Sequence, residues 1–416
     1  MDTKLLILFF GFIFFLGFFI SRKQPFKFLF WVGISLFFVR ILAIPVINQV
    51  NISYTIFTIL ILLNPFILFN KKQFKEWRYW YLVLLLGIMN SLIFGQSKDF
   101  FINQDILTKA FDWSSKFLLI IFVSSSITYF VKTEKDLKKL MNLFLMSCFI
   151  FSFTATIAYF GFYDGVVIYG PGSLNDVQDF SRDTIYSVVY GISPSNLVFG
   201  VSAIAIVFIP YLNWKKWQKY LFLAIIVFSI IISLKRMAII TLILTLFYYM
   251  LVEKKKGSNI WLLIIALIVL SVGTSYYDLV YKRFFGAFNS LSDTGIADYS
   301  SYIRIGRYNL AWDLFLNNPL IGQGAGYLIF IHNGFLEILA NLGIVGLVLF
   351  KPLIRPLKNI KSAFYNPWAI ALILIMITLV SLEAAINRVE IMYFIGLLYG
   401  GFLANKSINK SKQISK

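Results

Sequence analysis

"LFLAIIVFSIIISLKRMAIITLILTLFYYMLV", residues 221–252, is an apolar run interrupted only by Lys235-Arg236. As one helix it would extend to nearly 50 Å at about 1.5 Å per residue, well beyond a hydrocarbon core of roughly 30 Å. Taken with their flanks, the halves near 218–234 and 237–253 each have the length of one crossing. The run therefore reads as two antiparallel helices that turn back at the Lys-Arg pair, although neither Gly nor Pro marks the turn. Reading it as a single helix would reverse the side of every later connection.

The rest of the chain follows the same pattern. Of its 416 residues 59% are hydrophobic and 14% charged, and the mean hydropathy is +0.79. Soluble domains carry about a quarter charged residues, so that class is excluded. Runs such as "LLILFFGFIFFLGFFI" (5–20) do not alternate apolar and polar residues, which excludes a barrel. The expected fold is all-α: a polytopic membrane protein with about 12–13 transmembrane helices and large external loops. The spans lie near 4–20, 27–47, 52–69, 79–95, 115–131, 139–160, 196–212, 218–234, 237–253, 258–274, 331–350, 367–384 and 389–404. We see neither an internal repeat nor a soluble domain, so residues 1–416 read as one membrane domain. No small-residue cleavage site follows the first apolar run, which is expected to stay as a helix.

The net charge of +19 suggests nucleic acid in a soluble protein; here it marks cytoplasmic loops. "SRKQPFK" (21–27), "NKKQFKEWR" (70–78), "VKTEKDLKK" (131–139), "NWKKWQK" (213–219), "EKKKG" (253–257), "KPLIRPLKNIK" (351–361) and the Lys-rich tail are basic. Alternating through thirteen spans puts all of them on one side, with the N-terminus outside. The outer side receives 96–114, 161–195 and 275–330. Segment 275–303, rich in Tyr and Phe, reads in its first half as a surface-lying amphipathic helix and as a lid. One His and one Cys (Cys148, inside an apolar run) rule out an intramolecular disulfide and a zinc site built from those residues. No metal or cofactor is expected.

That topology sends Lys235, Arg236, Arg304, Arg307 and His332 to one membrane face. Such a cluster suits a polyanion at headgroup level, because the planar Arg fork matches phosphate oxygens. Each has a plainer reading: Lys235-Arg236 as snorkelling side chains, Arg304 and Arg307 as solvated, His332 as a capping or packing residue. "GQGAG" (322–326) lacks the Lys-Ser/Thr of a phosphate-binding loop and reads as a turn before a helix. Arg40 is the most deeply placed charge in an expected span, facing the bundle interior or the outer interface. Asp164, Asp176, Asp179 and Asp183, with Tyr163, Tyr169, Tyr186 and Tyr190, form a sugar-binding loop or a solvated one. Glu383, Arg388 and Glu390 read as an ion-paired turn.

"RIGRYNLAWDLFLNNPLIGQGAG" (304–326) followed by "HNGFLEILANLGIVGLVLF" (332–350) resembles the core of the O-antigen polymerase and ligase superfamily. "SLKRMAIITL" (233–242) and "SPSNLVFGVSAIAI" (193–206) resemble further segments of it, so that residues 190–350 form the matching core. Asn341 stands where an acidic residue is common, and Lys235 where a small one is. The resemblance implies metal-independent, inverting glycosyl transfer at the outer face of the cytoplasmic membrane, from a glycan on undecaprenyl diphosphate. It implies Arg236 and Arg304 gripping the diphosphate and His332 activating the acceptor hydroxyl. Arg307, Lys235, Asn333 and Arg40 are the further substrate contacts. The implied partners are the lipid-linked donor and acceptor, membrane lipids, a flippase and a chain-length regulator, and not nucleic acid. A polymerase adding to a lipid-linked repeat unit is the expected activity. The alternatives are a ligase with lipid A core as acceptor and, as a rival class, a lipid-linked oligosaccharide transporter with broken helices and midplane charges.

Overall fold

The computed structural model describes residues 71–94, 106–159, 196–233, 236–253, 299–328, 331–359, 364–381 and 388–414. The spans expected near 4–20, 27–47, 52–69 and 258–274 lie outside the described residues, as does 275–298. Among the described residues all regular structure is helical. In chain order α1 is Lys71–Phe94, α2 Ile106–Phe130, α3 Glu134–Tyr159, α4 Asn196–Ala205, α5 Lys216–Ser233 and α6 Arg236–Glu253. Then follow α7 Tyr299–Asn317, α8 Gly334–Leu342, α9 Pro367–Ile375 and α10 Val389–Ile414. A 3-10 segment (Ile206–Tyr211) continues α4, another (Ile344–Leu349) follows α8, and a π turn (Met376–Val380) continues α9.

Helix ends follow local chemistry. Within 221–252, α5 is described to Ser233 and α6 from Arg236, and the two are in contact; Lys235, where the turn is expected, lies outside the described residues. Thr133 and Asp136 form a reciprocal cap on α3: the Asp136 N–H donates to Thr133 Oγ1 at 3.1 Å, and Thr133 N–H to Asp136 Oδ2 at 3.2 Å. Asn366 Oδ1 accepts from Trp368 N–H at 3.1 Å, with Pro367 preset for the first turn of α9.

Among the described helices α2 and α10 make the most extensive contact. Gly396 meets Ile120 and Val123, and Gly400 meets Ser124 and Ile127, so the two helices run parallel. A Cβ on Gly396 would lie 2.9 Å from Val123 Cβ, and one on Gly400 the same distance from Ile127 Cβ. The G-x-x-x-G spacing thus lets two backbones approach, as it does between membrane helices. α3 and α4 run antiparallel, with Phe144 on Phe208 at 5.6 Å and Phe151 on Phe199 at 4.9 Å between ring centroids. The segment from Leu342, which packs on Gly87, to Arg355 runs antiparallel to α1. Gly322 C=O accepts from Asn90 Nδ2 (2.9 Å), Val348 C=O from Trp80 Nε1 (3.2 Å), and Arg355 pairs with Glu76.

These contacts gather the basic connections at one end of the bundle. Arg355 reaches Glu76, which also accepts from Tyr399 OH at 3.1 Å. Lys412 bonds Glu134 at 2.6 Å and, with Lys138, holds that carboxyl below its usual value. Trp214 Nε1 donates to Asn142 (3.1 Å), while Tyr248 OH pairs with Tyr211 OH (2.8 Å) and donates to Phe364 C=O (2.9 Å). Asn90, Ser91, Lys109 and residues 321–326 meet at the other end. Among the described residues one helical stretch, Ile391–Gln413, is long and apolar enough to cross a membrane by itself; Leu197–Tyr211, Met237–Val252 and Pro367–Val380 are apolar but shorter. α1 exposes Leu82, Leu85, Met89 and Leu92 on one side, and α6 exposes Ile240, Ile243, Leu244, Phe247 and Leu251.

Candidate functional site

The chain between α7 and α8 turns on glycines. Gly324 has φ +117°, and a Cβ there would lie 2.4 Å from Ser91 Oγ and 2.7 Å from Ser91 Cα. Only glycine allows that approach to α1. The turn's N–H groups are spent within the protein: Gly322 on Asn318 C=O (2.9 Å), Gln323 on Ala340 (2.9 Å), Gly324 on Asn341 (2.8 Å) and Ala325 on Gly87 (3.0 Å). "GQGAG" is therefore a packing turn, and those four donors are not free to cradle a phosphate.

The segment 331–350, expected as one span, is interrupted. α8 ends at Leu342, Gly343 takes φ +59°, and the chain resumes as a 3-10 segment. A Cβ on Gly343 would sit 2.5 Å from the Leu320 backbone. Past the break, Ile344 N–H donates to Pro319 C=O (2.8 Å) and Val345 N–H to Leu320 C=O (3.1 Å), so the interruption leaves neither of these donors unmet.

Two asparagines brace the approach to His332. Asn341 is fully buried; its Oδ1 accepts from Leu328 N–H at 2.8 Å and its Nδ2 donates to Leu328 C=O at 2.7 Å. This position needs a donor and an acceptor together, which an ionised acid lacks. That explains why this chain carries an amide here. Asn333 caps α8, accepting from Leu336 N–H at 3.0 Å. The capping role weighed for His332 belongs to its neighbour.

Tyr299–Asn317, within the expected external connection 275–330, is helical and packs on α8 through Ala311, Ile331 and Ala340. Tyr308 OH donates to the His332 C=O at 2.9 Å. Arg304 stands one turn before Tyr308, about 6 Å along the axis, and Ala311 continues the same face. The helix face that carries Arg304 thus lies against the His332 segment. Arg304, Arg307 and His332 are each half-buried. Arg236 opens α6, which packs on α4, α9 and the π turn, and its side chain is not among those described. Lys235, Arg40, the Asp and Tyr residues of 161–195 and Glu383 lie outside the described residues.

α2 adds residues that the sequence reading passed over. Lys109, Trp113 and Lys116 follow at i, i+4 and i+7 and are all buried. Gly326 abuts the Lys109 carbonyl, and Trp113 Nε1 donates to the fully buried Glu337 Oε1 at 2.9 Å. Lys116 Nζ bonds Asp112 at 2.6 Å. This face brings two cations to the region of α8 and the glycine turn. The signal was present as Lys109, Asp112 and Lys116 at helical spacing, but 96–114 read as a loop, so α2 was begun too late.

No curated protein matches the chain. Residues 221–351 match the family model described as O-antigen ligase, a stretch that holds Arg236, Arg304, Arg307, His332, Asn333 and the whole turn just described. The match covers about a third of the chain and supports the resemblance of this region to the O-antigen polymerase and ligase superfamily.

Proposed function

We propose that this chain is a multi-pass protein of the cytoplasmic membrane. In this reading it extends a polysaccharide at the outer face, transferring a glycan from undecaprenyl diphosphate to a lipid-linked repeat unit. The membrane reading is supported by the exposed apolar faces of α1 and α6 and by the gathering of basic connections at one end. The glycosyl-transferring activity follows from the family. The observation that carries the site is the Tyr308–His332 bond, which holds the Arg304 face of α7 against the one histidine of the chain.

In the reaction, the acceptor hydroxyl attacks the anomeric carbon opposite the diphosphate, so the new C–O bond forms as the bond to the leaving group breaks. His332 takes the hydroxyl proton, since a neutral imidazole carries a ring nitrogen that accepts one. Arg304 and Arg236 offset charge growing on the diphosphate, with Arg307, Lys109 and Lys116 as further cations. The ligase reading rests on the description of the matched family and differs only in the acceptor. The interruption at Gly343 is a feature that a transporter would share.

The test is transfer by the purified protein from lipid-linked repeat units, with EDTA present and no nucleotide added. His332→Ala should lower the rate by about 100- to 10,000-fold, and Arg304→Lys should also be severe because an ammonium cannot form the bidentate grip. Near-normal polymer from His332→Ala removes the base assignment. A requirement for metal or nucleotide removes the mechanism. Transfer to lipid A core in place of repeat units selects the ligase.

A further inference from the structure

At the end of the bundle where Arg355 meets Glu76, the last turns of α10 and the connection after the 3-10 segment enclose a cleft of about 860 Å³. α10 runs to Ile414, ten residues past its expected end at 404, and the added turns form one wall. Lys406 and Lys410, with Asn405 and Asn409, lie at i, i+4 spacing along that wall; Arg355 and Lys358 come from the other side. Among the described lining residues none is acidic. Arg355 is ion-paired with Glu76, so three lysines carry the excess charge.

Such an arrangement is costly unless something fills it, because like charges one turn apart repel. Asn366 lines the same cleft, which places the N-terminal end of α9, the positive end of its dipole, at the wall. The cleft therefore offers ammonium donors, amides and a helix N-terminus converging on one space, the chemistry that holds phosphate oxygens. Its rim is apolar. Ile354 and Leu357 are 44% and 45% exposed on the short segment that supplies Arg355 and Lys358, and Tyr365 is 74% exposed. An element with apolar side chains outward and cations toward a pocket is built to lie at a membrane surface.

We infer that this cleft binds the phosphate headgroup of an anionic phospholipid. The inference uses the membrane reading above and is independent of the glycosyl-transfer mechanism. Headgroup and soluble phosphate share one chemistry, and the exposed apolar rim selects the lipid.

The experiment uses the purified full-length chain in detergent, with bound lipid measured by native mass spectrometry and thermal unfolding followed in parallel. The probes are cardiolipin, phosphatidylcholine and inorganic phosphate. Cardiolipin should remain bound and raise the unfolding temperature, while phosphatidylcholine and inorganic phosphate should do neither. Lys406→Gln with Lys410→Gln should weaken cardiolipin binding by about 30-fold, as expected for two lysines at a headgroup, and leave unfolding without lipid unchanged. Lys406→Arg with Lys410→Arg should retain binding. Equal binding of phosphatidylcholine, equal stabilisation by phosphate alone, or wild-type cardiolipin affinity in the double Gln variant would each overturn the assignment. Loss of glycan transfer with lipid binding intact would count against the catalytic reading alone.

Discussion

Asn341→Leu is the most direct probe of how the protein holds its histidine. The amide joins α8 to the strand of chain entering His332, accepting from Leu328 N–H at 2.8 Å and donating to its C=O at 2.7 Å. Leucine has a similar volume and offers neither group. Each lost bond forfeits about 1 kcal/mol, and each polar group left inside without a partner costs about 1–3 kcal/mol. Leu328 is half-buried and regains some water, so the sum comes to about 2–4 kcal/mol. Asn341→Asp keeps the acceptor but sets a carboxylate oxygen against the Leu328 carbonyl inside a fully buried pocket, and should cost at least as much. The carbonyls of Ala340 and Asn341 still receive Gln323 and Gly324, so α8 and the glycine turn stay in place. What loosens is the chain from Leu328 to His332. A displacement of about 1 Å at a reacting group is worth roughly 100-fold in rate. The assays are unfolding of the purified protein in detergent by tryptophan fluorescence, and glycan transfer. Unfolding should fall by several degrees in both variants, with transfer falling more steeply than stability. Asn341→Leu protein that melts and turns over like wild type would refute the clamp.

Gly400→Leu should disrupt the α2–α10 seam: even a Cβ there stands 2.9 Å from Ile127 Cβ and Ser124 Cα, and overpacking of this kind costs about 1–3 kcal/mol, read as a lower unfolding temperature and yield. Trp113→Phe should cost about 1–3 kcal/mol by removing the donor to buried Glu337, whereas Glu337→Gln keeps an acceptor for the indole and should cost less; equal melting of the two would refute the pairing.

Much of the architecture was legible without coordinates, for a local reason. Apolar length and the placement of Lys and Arg report how each segment meets water, which is enough to expect two helices within 221–252, where α5 and α6 are found. Glycine spacing reports backbone freedom, so "GQGAG" read correctly as a turn. Alternation alone led to the expectation that the arginines and histidine share one face, and their assignment to one reaction rests on the family match.

Other features depend on which faces meet, and no single segment encodes that. Apolar continuity predicted one span over 331–350, yet Gly343 breaks it because Pro319 and Leu320 supply acceptors from outside the segment. Gly396 and Gly400 look like ordinary small residues until α2 lies against them. Asn341 looked like a departure from a family pattern until Leu328 came within reach of both ends of its amide. The Lys109–Trp113–Lys116 face acquired its meaning only from α8 and the glycine turn opposite. Sequence by itself determined the helical class and most of the described helices, since these are settled by local hydration and backbone freedom. Tertiary structure decided the partners, because a close approach or a buried hydrogen bond exists only where two distant surfaces fit.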